Sequence, residues 1–219
     1  MKKQYLISLI FSLCSVSLFS QTGYLHLIET PPNPSKGILE QYGYVDEKGK
    51  IVIPIGKYPM CYTDTIRTIG FVFSEEERKI IAIDKSDKKL FTVLRFDNGP
   101  DYVREELFRI VDDSTGYIGF ADMNGNIIIA PHFFYVDFFS EGLAAFNTGG
   151  KLENCDEEHT CITGGKWGYI DKTGKEVFPA AYDKAFPFEN REAKVQIGDY
   201  TFLLKMPYNK QNPNKRPQY

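Results

Sequence analysis

Asp46, Asp84, Asp122 and Asp171 stand at matching places in the 219-residue chain, with steps of 38, 38 and 49 residues between them. Recurring carboxylates could ligate a hard cation such as calcium, but such a site needs about six to eight oxygens around one ion. Here lysines and small polar residues follow instead, as in Asp84-Lys85-Ser86 and Asp171-Lys172-Thr173. The same residues fit another task. Asp is favoured at the first position of a type I turn, where its carboxylate accepts from backbone N–H groups; a residue that tolerates positive φ is favoured at the fourth. Gly49, Asp87, Gly125 and Gly174 stand three residues on. Turn formation is the expected role of all eight, with Asp87 tolerating the left-handed region at some cost.

Cys155 and Cys161 bracket Asp156-Glu157-Glu158-His159-Thr160. Two thiolates, His159 and a carboxylate would make up a metal ligand set, but the spacing matches no common zinc pattern. A disulfide stapling the loop is the simpler reading for an exported chain. Closing so short a loop contributes on the order of 2 kcal/mol. Cys61 is then left as a buried free thiol. Glu141 and Asp137 are a carboxylate pair of the kind that serves glycoside hydrolysis. His132 follows Pro131 and precedes Phe133, Phe134 and Tyr135, which reads as a structural histidine. No G-x-S-x-G elbow, H-E-x-x-H pair or phosphate-cradling glycine loop appears. No catalytic, cofactor-binding or metal residue is assigned, and the chain reads as a non-enzyme.

These aspartates must be positioned by β-hairpins. Tyr42-Gly43-Tyr44-Val45-Asp46 is followed by Ile51-Val52-Ile53-Pro54, and Trp167-Gly168-Tyr169-Ile170-Asp171 by Val177-Phe178-Pro179. Ile118-Gly119-Phe120-Ala121-Asp122 precedes Ile127-Ile128-Ile129-Ala130-Pro131. Aromatic and β-branched residues on both sides of a polar turn favour strands. Each proline closes its strand or sits at a sheet edge, because it cannot donate a ladder bond. The second unit, Ile81-Ala82-Ile83-Asp84 to Leu90-Phe91, has neither the tryptophan nor the glycine of the pattern. A further segment recurs at 139–146 and 188–195, giving about three short strands per unit. Residues 102–111 have helical spacing at Val103, Leu107 and Ile110, but repeat register makes 107–110 a third strand. A fixed period of roughly 20–50 residues marks a tandem-repeat chain. The fold class expected is all-β, an open twisted array of hairpin repeats starting near 42, 80, 118 and 167. A closed four-bladed propeller is the alternative. The worn second unit is expected to be the weak joint, and 24–28 and 201–204 the capping strands.

These segments resemble the WG repeat, also called the KWG repeat, of bacterial exported proteins. Lys166-Trp167-Gly168-Tyr169-Ile170-Asp171 carries the signature, continued by Tyr182-Asp183, and Phe139-Ser140-Glu141-Gly142-Leu143-Ala144 matches the later segment. Only one unit keeps Trp; Tyr42 and Ile118 replace it in two others. The cysteine insert accounts for the step of 49. The resemblance implies a repeat scaffold and names no shared activity.

The chain opens with Met1-Lys2-Lys3 and a largely apolar run to Phe19, which reads as a signal peptide over 1–20. The β domain is then 21–205, and 206–219, rich in Asn, Pro and Lys, reads as a disordered tail. No span of the mature chain is apolar enough to cross a bilayer. Without Lys2 and Lys3, 24 basic residues face 29 acidic ones, which argues against a nucleic-acid partner. Aromatic residues make up 15% of the chain, enough to fill a thin β core and leave some rings outside. The expected function is protein binding or scaffolding in the cell envelope. Glycan or cell-wall binding is the alternative, and an exported hydrolase the remotest.

Overall fold

The computed structural model describes residues 23–37, 39–155 and 160–207. The signal peptide expected over 1–20, most of the expected tail, and 156–159 lie outside the described residues. The fold is nearly all β: a single 3₁₀ turn, Pro34–Lys36, accompanies the strands, and no α-helix occurs among the described residues.

Five layers follow one another along the chain. The inner three pair the third strand of one unit, or its equivalent, with the hairpin of the next. The first holds Leu25–Thr30, Gln41–Val45 and Ile51–Ile53. Ile69–Ser74, Lys79–Asp84 and Lys89–Val93 make the second. The third is Leu107–Val111, Ile118–Asp122 and Ile127–Phe133, so residues 107–110 are strand and not helix. Leu143–Asn147, Trp167–Asp171 and Glu176–Tyr182 form the fourth. Glu192–Ile197 and Tyr200–Lys205 complete the array. The second and third layers run into one seven-stranded sheet, because Thr92 and Val93 pair with Val111 and Ile110.

Side chains alternate between faces along a strand, so an inner layer presents one apolar row to each neighbour. Tyr44 and Ile53 of the first layer pack on Val72, Ile81 and Ile83 of the second. Phe71, Ala82 and Phe91 on its other face meet Phe108, Ile110 and Ala121. Ile118 and Phe120 turn the other way, onto Phe146 and Ile170. Tyr169, Leu143 and Ala145 then meet Ala193 and Val195. Four cores separate five layers. The first and fifth share neither a sheet nor a core, so the array is open and not a closed propeller.

Local geometry follows the sequence closely. In the first hairpin the Asp46 carboxylate accepts from the amides of Lys48 and Lys50, both at 2.9 Å. Asp84, Asp122 and Asp171 accept from equivalent amides. Asp87 has φ 67° where Gly49, Gly125 and Gly174 stand in the other turns. Its carboxylate reaches back to the first unit, where Lys57 and the Tyr58 hydroxyl donate to it. Pro131 and Pro179 lie inside edge strands that continue beyond them, so they mark an edge and not an end. The insert is a hairpin, Lys151–Asn154 with Thr160–Thr163, closed by the Cys155–Cys161 disulfide.

Candidate binding surface

The repeat signature is a core device. Tyr169 is fully buried; its hydroxyl donates to Phe186 O at 2.8 Å, and its ring meets Phe188 edge-on at 5.0 Å. Tyr44 repeats this, donating to Thr63 O at 2.6 Å. Burial raises the pKa of both phenols, so they stay protonated donors. The glycine before each has a steric reason. A Cβ on Gly168 would fall 2.7 Å from Phe178 O and 2.8 Å from Ala180 N. On Gly119 it would strike Ile129 O and lie 2.6 Å from Pro131 N. In both hairpins the register shifts beside this glycine, so a bulged, proline-containing strand folds over it. The second unit has Ile81 there, and pairing runs straight through Ile81↔Thr92 and Ala82↔Phe91.

Residues 42–63, 118–151 and 167–199 match the family model of the WG containing repeat. The chain carries WG repeats. No curated protein and no solved structure matches it. The second unit lies within the unmatched residues 64–117, and it lacks the glycine and the register shift beside it.

WG-repeat carboxylates hold the scaffold here. Phe-Ser-Glu-Gly is a two-residue hairpin turn: Ser140 and Leu143 exchange backbone bonds, with Glu141 at φ 53° and Gly142 at φ 82°. Glu105-Glu106 and Asn190-Arg191 repeat it. Each turn grips the next, because Glu105 accepts from Gly142 N at 3.1 Å and Glu141 from Arg191 N at 2.7 Å. Glu141 is therefore engaged as an inter-repeat clamp. Burial holds the Asp137 carboxyl above its usual range, while it accepts from Phe138 N. The His132 ring contacts Phe133 and the Ala130 carbonyl. Among the described residues no group of three or more His, Cys, Asp or Glu is placed to hold a metal. Cys61 is free and half-buried, its thiol pushed up to about 11 by burial.

Trp167 sits half-buried with Tyr135 at its edge, 5.8 Å away. It lines a cavity of about 540 Å³ together with Cys155, Cys161, Ile162, Ala185 and Phe186. A second aromatic group was not evident from the sequence. Arg109 is 1% exposed; it donates twice to Asp101, through Nε at 3.0 Å and Nη2 at 2.5 Å, and through Nη1 to Val136 O at 3.2 Å. Its guanidinium lies 5.6 Å from the Phe96 ring centre and 5.9 Å from that of Phe138. Arg104 stands over Tyr102 and Phe138, and Tyr102 contacts Phe96 at 5.2 Å. Tyr102, Arg104 and Phe96 are exposed. Arg109 is eight residues from Asp101 and 27 from Val136, so no local spacing announced its partners.

Proposed function

We propose that the chain is an exported, non-catalytic WG-repeat protein that binds another protein through the surface formed by Phe96, Tyr102, Arg104 and Phe138. The observation that supports this is an exposed aromatic–arginine cluster rooted on a fully buried ion pair. Aromatic rings and Arg dominate the energetics of protein interfaces, and a rigid base lowers the entropy lost on binding. The glycan reading would be favoured by a ring exposed once per repeat. The recurring ring positions, Tyr44, Phe120 and Tyr169, are instead buried. A disulfide suits an oxidising compartment, and no helix among the described residues is long and apolar enough to cross a membrane.

A pull-down from envelope extract with the purified chain tests this. Tyr102→Ala and Arg104→Ala change exposed side chains and are expected to leave the fold intact while removing most of the captured protein. Capture unaffected by both, or recovery of insoluble glycan in place of protein, counts against the reading.

A further inference from the structure

The second core does not close as its neighbour does. In the third unit six residues lead from Ile129, opposite Phe120, to Tyr135, where the next pairing starts. In the fourth, six lead from Phe178 to Lys184. In the third unit that stretch carries Phe133, buried with its ring 5.4 Å from Phe146. In the second unit Phe91 lies opposite Ala82, and the next residue, Thr92, already pairs with Val111. The intervening residues, and the ring they bring, have no counterpart.

A cavity of about 470 Å³ opens at this end of the core, beside Ile80, the repeat counterpart of the Ile118 that pairs with Phe133. Its floor is Met60, Tyr62, Phe73, Ile80, Val93 and Val111. Arg78, Lys79 and Arg95 stand around it with one carboxylate, Glu75. Lys79 is engaged by Asp113 at 2.6 Å. Arg95 donates through Nε to Asp97 O at 3.3 Å, and neither Arg95 nor Arg78 has an ion pair among the described residues. A cationic rim on a chain of net charge −3 is a local concentration of positive charge, not a general property of the surface.

We propose that this cavity binds a small amphipathic carboxylate, its alkyl or aryl body on Phe73, Ile80 and Val93 and its carboxylate at the mouth on Arg78 and Arg95. Apolar cavities of roughly 300–1,000 Å³ with a few convergent polar groups hold ligands of this size. The guanidinium fork matches carboxylate geometry, which gives the charged end its place. The proposal rests on the missing closing segment and is independent of the Phe96–Tyr102 surface.

Titration of the purified chain with 4-phenylbutyrate, followed by calorimetry and by amide NMR, tests it. Saturable one-to-one binding is expected, with shifts centred on Phe73, Ile80 and Val93. The double variant Arg78→Gln/Arg95→Gln alters exposed residues and is expected to weaken binding about tenfold or more. Met60→Trp, which adds a ring at the half-exposed mouth, is expected to block it. The matched amine, 4-phenylbutylamine, is expected to bind far more weakly. No saturable binding at millimolar carboxylate overturns the proposal. So does equal binding of the amine, or binding of a peptide ending in an aromatic residue with none of the free carboxylate.

Discussion

The second and third units start alike and finish differently. Both open on an aspartate turn, with Asp84 and Asp122 each accepting two backbone amides. Three residues earlier the third has Gly119 and the second Ile81. The third strand bulges over its glycine and brings in Phe133; the second keeps only the shift beside its turn, between Ala82 and Ile83, and stops. On the following strand, at the place paired with the ring position of the next unit, the second unit has Arg109 opposite Phe120 and the third has Ala145 opposite Tyr169. Glycine, bulge and closing ring therefore behave as one device. Losing them leaves strand pairing intact but opens the core. The second unit then joins the third through a buried guanidinium on Val136 O.

The largest expected effect tests that latch. Asp101→Ala leaves the buried Arg109 guanidinium with only the longer contact to Asp137, at 3.8 Å, and removing one partner of a buried pair costs about 3–5 kcal/mol. Asp101 also accepts from Arg109 N at 2.8 Å, which adds to the loss. Arg109→Met in the same background removes the poorly compensated buried charge and should restore part of the stability, as read by denaturant unfolding. A cost below about 1 kcal/mol for Asp101→Ala would sink the latch.

Next in size is the glycine itself. Gly119→Val would drive a branched side chain into the backbone of Ile129 and Pro131, at a cost of about 3 kcal/mol. Ile81→Val, at the same place in the second unit, trims one buried methylene and should cost about 1 kcal/mol. Equal costs would show that the bulge does not depend on the glycine.

Much of this was legible in the residues. Turn aspartates, hairpin period and the insert between the third and fourth units are local signals, and local signals read directly from spacing. The third strand at 107–110 was readable only through repeat register, because Val103, Leu107 and Ile110 alone fit a helix. The signature glycine was visible as a pattern, but its cause is a backbone contact with a strand about ten residues later. The second unit reads as worn, which suggests a weak joint. It lies mid-sheet, paired on both sides, with Ile81, Ala82 and Ile83 buried. Neither the Arg109–Asp101 pair nor the open core could be read. One joins residues by folding, and the other is a deletion compensated elsewhere within an unchanged 38-residue period.

The smallest expected difference lies where the two units agree. Burial of Asp84 opposes its charge but is outweighed by the Ser86 hydroxyl and the Lys88 and Ser86 amides, which lower its pKa. At Asp122 burial is likewise outweighed, there by the backbone and side-chain donors of Asn126 and Asn124. A folded pKa below the unfolded value stabilises the fold above about pH 4 and loses that contribution as pH falls through the folded value. Asp84→Asn and Asp122→Asn keep an acceptor oxygen and remove the charge. Each should cost under about 1 kcal/mol at neutral pH, since solvent screens both turns. The two deficits should match, and both should shrink as the parent is titrated below pH 4. A deficit at Asp84 several times that at Asp122 would mean that the second unit, having lost its bulge, leans harder on its turn. That result would move the difference between the units from the closing strand into the hairpin itself.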